Sequence, residues 1–194
     1  MRIGIIGAGQ VGSRLKDLFS SAGHDVVTAG RAGARDAAVH GELAVLAIPY
    51  DACAEALPPL AEALAGKIVV DVTNPVAADW SPMLLGQENS AAEEIARILP
   101  RSRVVKAFNT VFADVMTPSK LERDGQRITC FVAGDDEDIR RVVAGIASDA
   151  GFAALDVGPL RSARHLEAMA HLNIAVALAG GGTDAAFLYH QRRS

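Results

Sequence analysis

The residues with the clearest chemical potential are three glycines near the start of the sequence, in the stretch IGIIGAGQVGSRL. Gly7, Gly9 and Gly12 follow an apolar run and precede a helical pattern, the context that makes G-x-G-x-x-G specific for dinucleotide binding. The first glycine permits a tight turn, the second lets the backbone approach a pyrophosphate, and the third lets the helix pack against the strand. Gln10 and Val11 would begin that helix, whose free N–H groups attract phosphate. The alternative is a glycine turn that binds nothing.

The sequence after the second predicted strand indicates which dinucleotide is bound. In NAD-binding proteins, a carboxylate about 20 residues past the glycines hydrogen-bonds the ribose hydroxyls. Here Gly30 is followed by Arg31 and Arg35, and the next carboxylate, Asp36, falls in a helical segment. Arg31 can clamp a 2′-phosphate and stack on adenine, and Thr28 can add a hydroxyl. The pattern predicts NADP(H) rather than NAD(H); the alternative is that both arginines are ordinary solvated residues.

Two further strand ends are expected at the same site, because ligands of parallel α/β sheets bind at the carboxyl ends of the strands. The third strand runs into LAIPYD and the fourth into DVTNPV. A proline just past a strand fixes the loop and exposes backbone groups to a ligand. We therefore expect the residues after these two strands to lie near the ribose and the nicotinamide: Ile48, Pro49, Tyr50, Asn74 and Pro75.

Acid–base catalysis has no clear candidate in the sequence. Three histidines are expected to be peripheral: His24, His40 and His190. His165 and His171 lie on a long helix, where a lone histidine is more often a packing or surface residue than a catalyst. The histidines, cysteines and carboxylates do not follow a metal-ligand spacing. We predict no catalytic side chain and no metal. Direct hydride transfer between two stacked cofactors fits, since it asks the protein only for orientation and electrostatics.

The elements that must position these residues follow an alternating pattern. Short apolar runs, typical of parallel strands covered on both faces, predict seven strands: Ile3–Ile6, Val26–Ala29, Leu43–Ile48, Ile68–Val72, Val104–Phe108, Ile128–Ala133 and Ala153–Val157. Helical patterns lie between them: Gly12–Ala22, Asp51–Leu64, Ser90–Leu99 with a capping box, Val111–Met116 and Asp136–Ala150. This alternation predicts an α/β fold with a doubly wound, mostly parallel, Rossmann-like sheet over residues 1–157.

The last segment, residues 158–194, departs from that rhythm and is predicted to form a short helical lobe. A long helical tract over Ser162–Ala179 leads to Gly180–Gly182, and Thr183-Asp184 could cap a final short helix through Tyr189. The long tract is apolar almost all round, which predicts a buried helix. Two interpretations are open: the helix packs against its own sheet, or it forms a homodimer contact.

Composition narrows the class of protein. The 194 residues are 50% hydrophobic, and a formal net charge of −4 argues against a nucleic-acid partner. The longest apolar stretch is too short for a membrane span, and the first residues do not follow a signal-peptide pattern. Cys53 and Cys130 lie in apolar contexts and are expected to be reduced. These features predict a soluble, cytoplasmic protein without a membrane partner.

The sequence resembles the NADP-dependent oxidoreductases of the coenzyme F420 family. The resemblance runs through IGIIGAGQVGSRL, AGR, LAIPYD, SAAEEIARILPRSRVVKAFNT, CFVAGDDED, DVGPLRSARHLEAM and LNIAVALAGGGTDAAFL, and the pair VVKAFNT and GPL…R…E is the more restricted signature. It implies an NADP(H):F420 oxidoreductase in which Gly30–Arg31 hold the 2′-phosphate. It further implies that five residues border the deazaflavin acceptor: Asn109, Thr110, Gly180, Gly181 and Gly182.

The resemblance leaves the identity of the acceptor open at one position. Archaeal members typically carry a histidine where this sequence has Asn109, and the KAFNT version is more similar to the reductase domain of the six-transmembrane metalloreductases, which use a flavin. The first alternative is therefore an NADPH-dependent flavin or ferric reductase. An imino-acid reductase or a hydroxyacid dehydrogenase would need a larger helical domain. The hydroxyacid enzymes would also need a catalytic lysine, a role that we do not assign to Lys106. A non-catalytic NADP(H) sensor is the remaining alternative.

Overall fold

A seven-stranded sheet forms the centre of the computed structural model, which describes residues 1–86 and 88–191. Its strands lie in the order β2-β1-β3-β4-β5-β8-β9. Their bounds are β1 Arg2–Ile6, β2 Asp25–Ala29, β3 Leu43–Leu46, β4 Ile68–Asp71, β5 Arg103–Lys106, β8 Thr129–Gly134 and β9 Ala153–Asp156. β6 (Glu122–Arg123) and β7 (Gln126–Arg127) form a separate hairpin that the sequence analysis missed. The predicted doubly wound α/β sheet is confirmed.

The strands are continuous apolar runs because helices cover both faces of the sheet. β3 illustrates this: all four of its residues are buried, and alternate residues face opposite layers. Leu43 and Val45 pack into the cluster that contains α1 (Gln10–Ser21) and α6 (Glu137–Asp149), whereas Ala44 and Leu46 pack into the other layer. That second layer consists of α2 (Ala34–His40), α3 (Cys53–Ala56), α4 (Ala61–Leu64) and α5 (Ala91–Ile98).

Parallel pairing joins β2, β1, β3, β4 and β5, so their carboxyl ends share one edge of the sheet. The chain reverses its order beside β1, which has β2 on one side and β3 on the other. Such a switch point opens a crevice for ligands at the carboxyl edge. The glycine turn follows β1 and therefore lies at this crevice.

β8 pairs with β5 in the antiparallel direction and over a short register. Two residue pairs join them, Val105 with Gly134 and Lys106 with Ala133. Lys106 is the last residue of β5, so residues 129–132 of β8 extend beyond the carboxyl end of β5. β9 lies parallel to β8 and continues the sheet on that side.

Two predicted helices are wrong, and both errors have a local cause. The segment predicted as one helix over Asp51–Leu64 is divided into α3, a 3₁₀ turn at Pro58–Leu60 and α4, because proline removes a helix donor and clashes with the preceding turn. The segment Val111–Met116 forms one 3₁₀ turn at Ala113–Val115. The predicted cap of the Ser90 helix is confirmed, since the Ser90 hydroxyl accepts from the Glu93 amide at the start of α5. The structure adds a cap at α6, where the Asp136 carboxylate accepts the amides of Asp138 and Ile139.

The predicted final helix after Thr183 is also wrong. The Thr183 hydroxyl donates to the Asp114 carboxylate, and the Asp184 carboxylate binds Arg123 and Lys120, so neither side chain is available as a helix cap. The chain instead runs alongside β8 without helical structure, where the Tyr189 amide donates to the Thr129 hydroxyl at 2.8 Å. Residues 192–194, the end of the predicted lobe, lie outside the described residues.

The long C-terminal helix α7 (Ala163–Val176) leads into a π-helical turn at Ala177–Gly181. Within this chain the helix is buried on one side, through Ala163, Leu166, Ala170 and Ile174, and the homodimer contact for its other side stays a prediction. Leu166 packs with Phe131 of β8, which confirms packing against its own sheet for that side of the helix. On the other side, Leu172 is 59% exposed and Val176 is 50% exposed. Among the described residues, no helix is both long enough and apolar enough to cross a bilayer.

Candidate functional site

The glycine turn after β1 is shaped by two contacts that leave no room for a side chain. Gly7 has a φ of +122°, and a Cβ there would lie 2.1 Å from the carbonyl oxygen of Ala47. A Cβ on Gly12 would lie 2.0 Å from the carbonyl oxygen of Gly7. Both contacts involve backbone atoms, which cannot move aside as a flexible side chain can. Gly12 therefore lets α1 pack close to the turn after β1, as expected from the sequence, and Gly7 also lets this turn lie against the residue that follows β3.

Gly9 plays a different part, because it faces open space. A Cβ at Gly9 would have no heavy atom within 4 Å, apart from its chain neighbours. Helix α1 begins at the next residue, Gln10, and its first turn contains no acidic side chain. The leading N–H groups of a helix have no intrahelical partner and carry partial positive charge. A cleft of about 550 Å³ opens here, lined by Ala8, Gly9, Gln10, Ser13, Arg14, Asp17 and Asp114.

Arginine side chains surround the end of β2. Gly30 precedes a 3₁₀ turn, Arg31–Gly33, and Arg35 follows in the first turn of α2. The Arg31 side chain is 83% exposed, with Nη1 3.3 Å from a carboxylate oxygen of Glu55. An exposed ion pair of this kind contributes little to stability, so Arg31 can exchange Glu55 for a phosphate at small cost. Arg35 is also exposed.

The residues after β3 form a turn that leads into α3. β3 ends at Leu46, two residues earlier than predicted, and the carbonyl oxygen of Pro49 accepts the Ala52 amide at 3.2 Å. Tyr50 is half-buried, and burial, together with the negative charges of Glu94 and other carboxylates, raises the pKa of its hydroxyl. Ile48 is half-buried and Pro49 exposed at this edge. Thr28, on β2, has a buried hydroxyl without a partner among the described residues.

A pair of asparagines joins the ends of β4 and β5. Asn74 Nδ2 donates to the carbonyl oxygen of Asn109 at 2.8 Å, and Asn109 Nδ2 donates back to Asn74 Oδ1 at 2.9 Å. Asn109 Nδ2 also donates to the carbonyl oxygen of Leu166 on α7 at 3.1 Å. The Asn109 residue is 6% exposed. The structure therefore brings Asn74 and Asn109 together, in an amide pair that α7 helps to hold.

Helix α7 makes two more contacts with these strand ends. His171 Nε2 lies 3.0 Å from the carbonyl oxygen of Pro75, so this nitrogen carries the proton that it donates. Asn173 Nδ2 donates to the carbonyl oxygen of Thr110 at 3.4 Å. His171 thus has a partner in the loop predicted to border the nicotinamide, which the helical spacing did not reveal.

A buried ion triad adjoins the amide pair, since Thr73 and Glu167, which bind Lys106, are next in sequence to Asn74 and to Leu166. Lys106 Nζ lies 2.8 Å from Asp71 Oδ2 and 2.9 Å from Glu167 Oε1, and it donates to the carbonyl oxygen of Thr73 at 2.6 Å. The Lys106 and Asp71 side chains are 0% exposed and that of Glu167 is 5% exposed. Burial alone would lower the pKa of Lys106, but the two carboxylates outweigh it and hold the pKa above its ordinary value.

Glu167 also completes the start of helix α5. Its carboxylate oxygens accept the amides of Ala91 at 2.9 Å and Ala92 at 3.2 Å, two of the leading N–H groups of that helix. Glu167 is a site residue that was not predicted from the sequence. The signal was present, since Glu167 is the glutamate of the GPL…R…E signature.

The three glycines after α7 are not among the hydrogen-bond partners that the described residues provide for the asparagine pair. Gly180–Gly182 are exposed, with Gly180 and Gly182 at positive φ. The next residue, Thr183, binds Asp114, which lines the cleft at the start of α1. The Thr183–Asp114 bond therefore places the end of this glycine segment beside the cleft at the start of α1, whereas Asn109 and Thr110 bind the middle of α7.

The sheet order and the glycine turn after β1 place this chain among proteins with a Rossmann-like fold of the dinucleotide-binding type. The rat metalloreductase STEAP3 is 32% identical over 182 residues, which cover 87% of this chain and 36% of that protein. The F420-dependent NADP reductase of Methanocaldococcus jannaschii is 32% identical over 147 residues, covering 73% of this chain and 65% of that enzyme.

A crystal structure from Arthrobacter sp. FB24, provisionally described as an F420-dependent NADP reductase, matches with a TM-score of 0.88 at 27% identity. The match covers 98% of this chain and 100% of that one. No protein-family model matches the chain. The predicted resemblance is confirmed: the chain is related to F420-dependent NADP reductases and to a metalloreductase, and thus to NADP-dependent oxidoreductases. It spans about a third of the metalloreductase and 65% of the archaeal enzyme.

Proposed function

We propose that this chain is an NADP(H)-dependent oxidoreductase that transfers hydride directly between NADP(H) and a deazaflavin, coenzyme F420. The observation that carries the choice of NADP(H) is the end of β2. Two exposed arginines, Arg31 and Arg35, follow the strand there, and Asp36 is the first carboxylate after it. A 2′-phosphate is a favourable partner for a guanidinium fork, whereas NAD(H) binding usually relies on a carboxylate at this point.

The residues at the carboxyl edge fit a bound dinucleotide. The open space at Gly9 and the acid-free start of α1 suit a pyrophosphate, whose negative charge the leading N–H groups of the helix would neutralise. Arg31 would hold the 2′-phosphate, and the loops after β3 and β4 would flank the nicotinamide. When bound, NADPH supplies the hydride. The chain's own contribution is to orient the two rings and to keep water from the reacting face.

The choice of F420 as acceptor is supported by the archaeal relative, which is named for that cofactor. The alternative acceptor is a flavin, and one observation favours it: a relative whose match covers 87% of this chain is a metalloreductase. Asn109 stands at the position where the two possibilities differ. In this chain its amide is held by Asn74 and Leu166.

Charge reversal at Arg31 tests the cofactor assignment. We expect Arg31→Glu to weaken NADPH binding about 10- to 100-fold, because a charge-assisted phosphate contact of about 1.5–3 kcal/mol is replaced by repulsion. NADH binding, measured by the same fluorescence titration, should change little. Arg141→Glu is the matched control, since Arg141 is an exposed arginine on α6 that pairs with Glu137 and Asp138. NADPH affinity equal to that of the unaltered protein would refute the assignment.

Anaerobic turnover with NADPH tests the acceptor. Loss of the deazaflavin absorbance of F420 on mixing is the expected result. Reduction of free FMN or FAD without reaction of F420 would support the flavin or ferric reductase alternative. Equal affinity for NADP⁺ and NADPH without turnover on any acceptor would support the non-catalytic sensor. A rise in NADPH absorbance after reduced F420 is mixed with NADP⁺ would show hydride transfer in the reverse direction, from the deazaflavin to the nicotinamide.

We also propose that the protein forms a homodimer through α7 and acts in the cytoplasm. Leu172, Val176 and Leu178 form an exposed apolar surface on α7 and the turn after it. The two cysteines, Cys53 and Cys130, are both buried and free, which suits a reducing compartment. Sedimentation equilibrium should give twice the chain mass, and Leu172→Glu should shift it to the monomer. A monomeric mass for the unaltered chain would contradict the dimer.

A further inference from the structure

The buried ion triad of Asp71, Lys106 and Glu167 connects elements that are distant in sequence. Asp71 is the last residue of β4, Lys106 is the last residue of β5, and Glu167 lies in α7. Lys106 Nζ has three acceptors within 3 Å, namely Asp71 Oδ2, Thr73 O and Glu167 Oε1, so all three of its protons are used. The lysine is therefore committed to holding these elements together.

One side of the triad fixes the loop after β4. The Thr73 amide donates to Asp71 Oδ1 at 2.8 Å, and the Thr73 carbonyl oxygen accepts from Lys106 Nζ at 2.6 Å. Both backbone groups of this residue are thus bound to the triad. The next two residues are Asn74 and Pro75, the predicted nicotinamide border. Any displacement of the triad would be passed directly to them.

The other side of the triad fixes helix α7. Glu167 binds Lys106 and two leading amides of α5. The preceding residue, Leu166, supplies the carbonyl oxygen that holds the Asn109 amide at 3.1 Å. Asn109 in turn exchanges two hydrogen bonds with Asn74. The triad and the amide pair therefore form two adjacent joints between the same loop and the same helix.

The composition of this joint indicates a role in positioning rather than in stability. Removing three ionised groups from water is costly, and well-packed apolar residues of similar volume often give equal or greater stability. The triad carries a formal net charge of −1, which the partial positive charge at the start of α5 compensates through the two amide bonds to Glu167. Compared with apolar packing, ion pairs and directed hydrogen bonds restrict the joined elements to one relative geometry.

We propose that Glu167, acting through Lys106 and Asp71, is a positioning residue that sets the distance and angle between the nicotinamide loop and the acceptor side of the site. The Glu167 side chain is 5% exposed and is bound to Lys106 and to two amides of α5, so we expect it to act through these partners. This inference depends on the proposed function for its kinetic consequence. The groups expected to bind the pyrophosphate and 2′-phosphate lie after β1 and β2, outside the triad. Loss of the triad should therefore impair hydride transfer and leave NADPH affinity intact.

The test compares Glu167→Gln with Arg164→Gln. Arg164 is the matched control because it also joins α7 to α5, through Nη2 at 2.7 Å from a Glu93 carboxylate oxygen. Its hydrogen bonds and ion pairs among the described residues go to Glu93 and not to the strand-end loops. We expect Glu167→Gln to lower kcat/KM for the acceptor about 10- to 100-fold, since small misplacements of reacting groups have effects of this size. The Kd for NADPH should stay within about twofold. The control should match the unaltered protein in both.

Hydrogen–deuterium exchange supplies a readout that needs no turnover. Faster exchange in residues 163–176 and at Thr73 and Asn74 in Glu167→Gln, with α6 unchanged, is expected if the triad is the joint. Should that variant not fold, Glu167→Asp keeps the charge, withdraws the carboxylate by one methylene, and should show the same kinetic pattern in weaker form.

Three results would overturn the inference: normal turnover in both Glu167 variants, an equal loss in the Arg164 control, or a parallel loss of NADPH affinity. Absence of turnover in the unaltered protein with every acceptor would refute the proposed function instead. In that case the exchange comparison still decides about the triad, because unchanged protection in the Glu167 variant would exclude it as the joint.

Discussion

Replacing Lys106 by methionine should destabilise the protein strongly. The methionine side chain is of similar length and fills the same space, so the change removes the charge and its hydrogen bonds. Two carboxylates, Asp71 and Glu167, then remain buried beside each other without a cation. Breaking a buried ion pair in this way costs about 3–5 kcal/mol, which is a large share of the roughly 5–15 kcal/mol by which a typical domain is stable.

The free energy of unfolding from urea denaturation, followed by circular dichroism, measures this loss. The direction in which this loss of stability changes with pH can also be predicted and checked. The pKa of Lys106 is raised in the folded protein, so its contribution is fully present below the ordinary lysine pKa and is lost as the pH rises through the folded value. The difference between the two proteins should therefore be steady between about pH 8 and pH 10 and narrow only above that range.

Lys120→Met is the control for this prediction. Lys120 also pairs with a carboxylate, Asp184, but its side chain is 42% exposed, so solvent screens the pair. The control should lose far less stability than Lys106→Met. Equal losses in the two variants, or a Lys106→Met protein as stable as the unaltered chain, would show that the triad is not a tightly coupled ionic unit and would refute the reasoning.

Three further predictions concern the cleft, the thiols and a helix cap. Gly9→Ala should leave the thermal unfolding temperature nearly unchanged but weaken NADPH binding in a fluorescence titration, whereas Gly12→Ala should lower that temperature, because its Cβ would lie 2.0 Å from a carbonyl oxygen. Burial raises the pKa of both Cys53 and Cys130 to about 12, so iodoacetamide at pH 8 should alkylate them, as seen by mass spectrometry, only after denaturation. Ser90→Ala should cost about 1 kcal/mol in urea denaturation; no loss there would contradict the capping assignment.

Much of the fold was predictable because hydrophobic burial dominates it. Each strand that is covered on both faces leaves a continuous apolar run, and each strand end was placed within about two residues. The predicted helices were wrong where another interaction outweighs the helical pattern of the sequence. Pro58 divides a helix whose apolar spacing was otherwise regular, and Asp184 is drawn from a helix cap by Arg123 and Lys120, which lie about 60 residues earlier in the sequence. No local pattern reports such distant partners.

For the candidate site, the glycine turn was predictable from the sequence, but the side-chain contacts between distant elements were not. The glycine turn follows from backbone conformation and close packing, which a short sequence pattern encodes directly. The sequence alone assigns no catalytic role to Lys106 and does not reveal its two partners, which come from β4 and α7 and meet it only because of the whole sheet order. The asparagine pair was anticipated as two separate border residues, and its reciprocal hydrogen bonds depend on a loop geometry that spacing does not specify.

The short register between β5 and β8 has a consequence for access to the carboxyl edge. Four residues of β8 extend past Lys106, which at the rise of an extended strand corresponds to an overhang of roughly 13 Å. β8 and its parallel neighbour β9 therefore extend beyond the carboxyl ends of β1, β3, β4 and β5 on one side of the sheet. The C-terminal chain runs along this extension, since the Thr129 amide donates to the Phe187 carbonyl oxygen at 3.0 Å. The extension of β8 therefore closes one side of the carboxyl edge, and we expect ligands to enter from the opposite side, next to β1 and β2.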